Sequence, residues 1–234
     1  MDEYLLLLLN SILGHSDKID YHILFLARNP ITKSLPLIIC FWALWFVLKQ
    51  GEYINRSRVA ASFIIALVSI IVGRFLAVVL PFRLRPIHSP DTDITVFAGL
   101  GRRTLDGWSS LPSDHAIFFA SLCACVFMIN RPLGIIISIY SFFIALLPRV
   151  IYGLHWPSDV FVGILIGAAL AVLLMKPLQN AIERMGLVDT ALRYEFLFYP
   201  AMFVLTFQMA TMFDSLRAVL GVAKNTVMFL VQSI

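Results

Sequence analysis

The chain has 234 residues, of which 60% are hydrophobic and only 14% charged, with a mean hydropathy of +0.88. Soluble domains carry about a quarter charged residues, so this composition excludes an ordinary soluble protein and points to an integral membrane protein. The net charge of +4 fits contact with anionic lipid and makes no case for nucleic acid.

The N-terminus begins Met1-Asp2-Glu3, which is acidic where a cleavable leader would be basic. The apolar run Leu5 to Leu9, continued through Leu13, is too short to span a bilayer. With residues 20–28 it reads as interfacial helix lying on the membrane. Uncharged or nearly uncharged runs follow at 34–48, 59–82, 115–130, 132–148, 160–175 and 196–213, with Arg74 the one Lys or Arg inside the second. Since a span needs about 20 apolar residues, these predict about six transmembrane helices, some reaching full length only with their flanks. The expected architecture is an all-α polytopic bundle in one domain. Residues 1–30 would be interfacial, 34–213 the bundle and 214–234 a tail that lies on the membrane or adds a marginal span.

Cys40, Cys123 and Cys125 fall inside predicted spans, and the last two are two apart, facing different directions on a helix. They read as small apolar filler, with no metal site or disulfide. Trp42, Trp45, Trp108 and Trp156 read as packing or interface aromatics. His15, His22 and His88 read as interfacial.

Polar breaks separate the runs at 49–58, 81–114, 130–131, 149–159 and 176–195, and in a hairpin series they alternate between the two faces. Breaks one, three and five carry Lys49, Arg56, Arg58, Arg131, Lys176, Arg184 and Arg193, which reads as cytoplasmic. Breaks two and four are then extracytoplasmic, provided that their own arginines, Arg83, Arg85, Arg102, Arg103 and Arg149, serve a substrate.

Those two breaks hold most of the unusual polar residues. Pro112-Ser113-Asp114-His115 opens an apolar helix, and a Ser-capped helix start offers backbone N–H groups to an anion. Arg85 and Arg149 can each grip phosphate oxygens in bidentate fashion. His155 and Asp159 are four apart with Pro157, a helix-start residue, between them. A carboxylate on one ring nitrogen would leave the other free to attack. Two histidines would supply a nucleophile and an acid, and arginines would neutralise the equatorial oxygens. Each residue alone has a plainer reading. A lone interfacial Arg is commonly a headgroup anchor, a lone His at a helix start a polar boundary, and Pro-Ser-Asp an ordinary cap. The coincidence of two His, two Arg, a Ser and an Asp on one face sets a phosphate site against that reading. Arg102 and Arg103 would contact headgroup or substrate at the loop surface. Arg74 is costly inside a span and so a candidate for function.

These residues resemble the type 2 phosphatidic acid phosphatase superfamily, which includes the vanadium haloperoxidases. That pattern reads Lys, six residues, Arg-Pro; Pro-Ser-Gly-His; Ser-Arg, five residues, His, three residues, Asp. Arg85-Pro86, Pro112-Ser113-Asp114-His115, and Arg149 with His155 and Asp159 match it in order, over roughly residues 34–175. Three positions depart: Val78 for the lysine, Pro148 for the serine, and Asp114 for the glycine. Arg74, one turn earlier on the same helix face as Val78, and Arg83 are candidate replacements for the lysine. Asp114 is expected to bond a neighbouring arginine.

The resemblance implies a phosphohistidine on His155, His115 as leaving-group acid, and Asp159 orienting His155. Arg85, Arg149 and Ser113 would hold phosphate, with no metal or other cofactor. Pro-Ser-Asp-His is similar to the version in bacitracin-resistance-type undecaprenyl pyrophosphate phosphatases. That implies a polyprenyl pyrophosphate substrate, a role in cell-envelope biogenesis and a site on the extracytoplasmic side of a bacterial plasma membrane. Two alternatives stay open: a phosphotransferase passing phosphate to a lipid or glycan acceptor, and a non-catalytic lipid carrier.

Overall fold

The structure is a computed structural model that describes residues 1–47, 53–100 and 104–212. Arg102, Arg103 and the tail from Asp214 lie outside the described residues. Among those described, every regular element is helical. Helices α1 (Asp2–Asn10), α2 (Asp17–Arg28), α3 (Pro30–Lys33) and α4 (Leu35–Phe46) precede the long α5 (Tyr53–Val79). After a loop with two 3₁₀ turns come α6 (Asp114–Ile129) and α7 (Arg131–Ser141). A π-helical segment (Phe142–Leu146) and α8 (Leu147–Ile151) continue α7. Then follow α9 (Pro157–Arg184), α10 (Leu187–Arg193) and α11 (Glu195–Ala210).

Among the described residues, three helices are long and apolar enough to cross a bilayer: Arg56–Val79, Arg131–Ile151 and Pro157–Arg184. Leu35–Phe46, Asp114–Ile129 and Glu195–Ala210 are apolar but shorter. The expected run 160–175 is thus part of a 28-residue helix that continues through Lys176 and Pro177. Proline removes one N–H, and a long helix tolerates that single loss.

The chain divides into one unit over Met1–Val188 and a second from Asp189 onward, in which α11 is the described apolar helix. In the first unit, α9 packs along both α6 and α5. Gly163 and Gly167 permit this. A Cβ on Gly163 would sit 2.7 Å from Ala116 Cβ and 2.8 Å from Ser113 O; one on Gly167 would sit 2.3 Å from Ile117 O. Small residues four apart form a stripe along which two backbones approach closely. Here that stripe brings the first turns of α6 and α9 together. Asn29 and Asn130 start α3 and α7 by accepting from Ile31 N (2.8 Å) and Leu133 N (3.1 Å), each with proline in the first turn.

The N-terminal helices are fastened to the bundle rather than lying loosely against it. Leu13 and Leu24 join a core with Ile87, Leu100, Ile151, Tyr152 and Leu154. Asn10 Nδ2 donates to Thr95 O (3.0 Å) and Ile151 O (2.8 Å), and its Oδ1 accepts from Thr95 N (2.7 Å). Tyr152 OH donates to Asp20 O (2.5 Å). The other face of α1, with Tyr4, Leu5 and Leu8, is exposed and apolar, as an interfacial helix requires.

Candidate active site

Three segments distant in sequence meet at one end of the bundle: residues 83–85 with 108–110, the start of α6, and the turn from α8 into α9. Main-chain bonds fix the meeting. Arg149 O accepts from both Leu154 N (2.9 Å) and His155 N (3.1 Å). Ser113 N donates to Asp159 O (3.2 Å), and Ser110 N donates to Arg83 O (2.8 Å). Gly153, at φ +65°, turns the chain out of α8 and accepts from Ile87 N through its carbonyl (2.9 Å).

His155 is almost fully buried, and both ring nitrogens are engaged. Nδ1 lies 2.7 Å from Ser110 O. A carbonyl can only accept, so Nδ1 carries the hydrogen. Nε2 faces Arg85 Nη1 at 3.1 Å, so Nε2 presents its lone pair to a donor. Burial, with the Arg85 charge beside it, pushes the imidazole down to about 3. The ring is therefore neutral, in the tautomer that an Nε2 nucleophile requires.

Asp159, expected to orient His155, is hydrogen-bonded to other groups in the structure. Its Oδ2 accepts from Trp156 N (2.9 Å) and Ser110 Oγ (2.5 Å), and its Oδ1 accepts from Arg83 Nη1 (2.6 Å). The reason is positional. With Trp156 as N-cap and Pro157 at the first helical position, Asp159 is the third helical residue of α9, whose side chain curls back onto the N-cap N–H. His155 precedes the cap, and its ring reaches the Ser110 carbonyl instead. Asp159 acts on His155 at one remove, by holding Ser110.

The second histidine has the carboxylate. His115 Nδ1 lies 2.9 Å from Asp114 Oδ1, which also accepts from His115 N at 2.8 Å. Asp114 Oδ2 pairs with Arg74 Nη2 at 2.9 Å, so the expected neighbouring arginine is Arg74. The Arg74 guanidinium stands 5.0 Å from the Trp108 ring centroid, a cation–π contact. His115 Nε2 meets Arg149 Nη2. Both histidines are thus arranged alike: hydrogen on Nδ1, lone pair on Nε2, and an arginine facing the lone pair.

Other expected residues are present in altered roles. Arg85 is buried and donates to Trp108 O (3.1 Å), Leu154 O (2.5 Å) and Ser109 O (3.0 Å) besides His155. It is loop scaffold as well as cation. Ser113 is buried and caps α6, accepting from Ala116 N at 3.4 Å. Arg83 bonds Ser158 Oγ (2.7 Å), Asp159 and Asp2 Oδ2 (2.7 Å), and its guanidinium stands 5.2 Å from the Trp156 ring centroid. It is a clamp, and Trp108 and Trp156 serve it and Arg74 as platforms. Val78 is 77% exposed, so the position of the family lysine is turned away from the site.

Five residues escaped the sequence reading. Ser110 carries both the carbonyl for His155 and the hydroxyl for Asp159. Asp2 accepts from Ser158 N (2.9 Å), Ser158 Oγ (2.6 Å) and Arg83, so the first turn of α1 caps α9. Lys33 is buried and its charge acts on His115. None of the three lies in a motif, and only the fold brings them near. The fourth signal, Gly163 and Gly167, was legible in spacing alone.

One helical turn inward from His115 and Arg149, an apolar cavity of about 510 Å³ opens between α6, the π-helical segment and α9. Phe119, Cys123, Phe142, Leu146, Ile164 and Ala168 line it.

No curated protein and no solved structure matches the chain. A family model does. The model of the PAP2 superfamily matches residues 58–183, more than half of the chain, and that stretch contains Arg85, Ser113, His115, Arg149, His155 and Asp159. The chain therefore belongs to the PAP2 superfamily.

Proposed function

We propose that this protein is a membrane lipid phosphatase acting on a polyprenyl pyrophosphate, with undecaprenyl pyrophosphate as the first candidate. It would work through a phosphohistidine on His155 and without a metal ion. We read the apolar helices as six spans, with the site on the extracytoplasmic side of a bacterial plasma membrane. Membership of the superfamily supports phosphatase-type chemistry on lipid phosphates. The observation that carries the mechanism is the matched pair of imidazoles, each with Nε2 facing an arginine.

In this reading the terminal phosphate enters between the two rings and draws Arg85 and Arg149 onto its oxygens. His155 Nε2 attacks phosphorus, the bond to the bridging oxygen breaks, and the lipid monophosphate leaves with that electron pair. Water then adds to the phosphohistidine, losing a proton to His115 Nε2. The P–N bond breaks, phosphate departs and His155 is restored. The arginines meet the charge on the equatorial oxygens. Lys33 and Arg74 add the positive charge that the family lysine would bring. The cavity beneath supplies an apolar path for the first part of the chain.

The test is phosphate release from undecaprenyl pyrophosphate by the detergent-purified chain, with chelator present and His155→Ala in parallel. Release that survives chelation and is lost in the variant supports the reading. Release that persists in the variant overturns the mechanism. No release here but release from another lipid phosphate overturns the substrate and keeps the chemistry.

A further inference from the structure

His155 sits in a turn between the end of α8 at Ile151 and the start of α9 at Pro157. Such a turn leaves orphan carbonyls behind it and orphan N–H groups ahead of it. One element reaches both sides. Asn10 Nδ2 donates to Ile151 O (2.8 Å), and Asp2 Oδ1 accepts from Ser158 N (2.9 Å). Asp2 and Asn10 are the first and last residues of α1, which packs on both α8 and α9. Between those two residues a helix rises about 12 Å, so α1 bridges the turn that carries the nucleophile.

The bridge is itself anchored. Leu6, midway along it, is fully buried, and the buried Asn10 also holds Thr95 N through Oδ1 (2.7 Å). At the other end, Asp2 Oδ2 accepts from Ser158 Oγ (2.6 Å) and Arg83 Nη2 (2.7 Å). Arg83 carries the connection on to the ring. Its Nη1 donates to Asp159 Oδ1 (2.6 Å), and Asp159 Oδ2 accepts from Ser110 Oγ (2.5 Å). Ser110 O in turn lies 2.7 Å from His155 Nδ1. Arg83 O also accepts from Ser110 N (2.8 Å). The arginine thus holds Ser110 by main chain and, through Asp159, by side chain.

We propose that α1 is a splint for the nucleophile, with Asp2 and Asn10 as positioning residues that keep His155 Nε2 in line with phosphorus. This rests on the phosphatase reading above. With Asp2 released, Arg83 is free to turn from Asp159 toward solvent. The fully buried Asp159 carboxylate then lacks its counter-charge and no longer fixes Ser110. With Asn10 released, the last carbonyl of α8 loses its donor, and the turn loosens from its other side. A reacting atom misplaced by about 1 Å can cost about 10²-fold in rate. The bonds of Asp2 and Asn10 go to Ser158, Arg83, Thr95 and Ile151, and none goes to Arg85 or Arg149. The effect therefore falls on the chemical step and not on the grip on phosphate.

The experiment measures kcat and KM of the full chain in detergent for wild type, Asp2→Asn, Asn10→Ala and Glu3→Gln, well below each unfolding midpoint. The substrate is undecaprenyl pyrophosphate or, where wild type leaves that lipid intact, a long-chain alkyl phosphate. Asp2→Asn keeps an acceptor for Ser158 N and removes the charge that holds Arg83. Glu3, exposed in the same turn of α1, is the control. Asp2→Asn and Asn10→Ala are expected to lose about tenfold or more in kcat. Their KM should stay within about twofold of wild type, the pattern of an interaction realised in the transition state. Glu3→Gln should match wild type. A purely structural role would lower the unfolding midpoint and leave kcat unchanged below it. Asn10→Ala strips Thr95 N and Ile151 O of a buried partner; where it does not fold, Asp2→Asn, at a partly exposed position, decides alone. A folded Asp2→Asn with wild-type kcat would overturn the proposal, as would a loss carried by KM or an equal loss in Glu3→Gln. A wild type inactive on both lipids would overturn the phosphatase reading instead.

Discussion

Replacing Asp2 tests whether the first turn of the chain is part of the site's framework. Asp2 accepts from the Ser158 main-chain N–H and hydroxyl, and it pairs with Arg83, which also holds Asp159. Losing a capping acceptor costs about 1 kcal/mol. The Arg83 pair, partly open to solvent, adds less than about 1 kcal/mol after screening. Asp2→Ala should therefore destabilise by about 1–2 kcal/mol. For a chain of this length that is roughly 2–8 °C in Tm. Asp2→Asn, which keeps an acceptor, should lose about half as much. Burial pushes the Asp2 carboxyl up, but the Ser158 hydrogen bonds and the Arg83 charge outweigh it and hold it below its ordinary 3.8. Stability from a carboxyl lowered in this way is fully present above 3.8 and disappears as pH falls through the folded value. The gap between wild type and Asp2→Ala should thus be constant near neutrality and shrink in acid. Thermal unfolding in detergent, followed by circular dichroism, measures it. An Asp2→Ala midpoint equal to wild type at neutral pH would refute the claim that α1 caps α9.

Gly167→Leu drives a side chain into Ile117 O, where even a Cβ would sit 2.3 Å away. It should cost at least about 1–3 kcal/mol and reduce phosphatase activity more than any substitution on the exposed face of α9, read by unfolding midpoint and turnover together. Lys33→Met keeps bulk while removing charge, and is expected to raise KM for the phosphate substrate about tenfold or more, an effect of more than 1.4 kcal/mol. Val78→Lys, on an exposed face, should leave KM unchanged, and the same steady-state assay reads both. His155 titrates at about 3 when folded, against 6.5 ordinarily. The unfolded chain then binds the extra proton first, so stability is unaffected above pH 6.5 and falls as pH drops from there toward 3. In His155→Ala the unfolding midpoint should depend less steeply on pH across that window.

The parts of this molecule that follow from local rules are legible in the sequence. Charge-free runs mark the helices because a bilayer tolerates few ionised groups, and the spacing of Arg149, His155 and Asp159 marks the site because one turn and one helix start connect them. What was misjudged depends on which partner a side chain finds among several. Asp159 was expected on His155, but helix geometry makes the N-cap N–H its nearer partner. Asp114 is expected to find an arginine and does, through the packing of α6 on α5, and its second oxygen is taken by the ring and main-chain N–H of the adjacent His115. Asp2 and Lys33 lie 157 and 82 residues before Asp159 and His115, and no local pattern connects them. Lys176 looked like the end of a span, whereas α9 continues to Arg184 and carries that charge along a helix already formed.

The central claim is that phosphate passes through His155. It is tested most directly by mixing the purified chain with a lipid pyrophosphate radiolabelled in its terminal phosphate, quenching in base within one turnover, and measuring label on the protein. The account predicts a base-stable, acid-labile label on wild type that maps to His155 and is absent from His155→Ala. Turnover without labelled protein, or equal label on the variant, would contradict it.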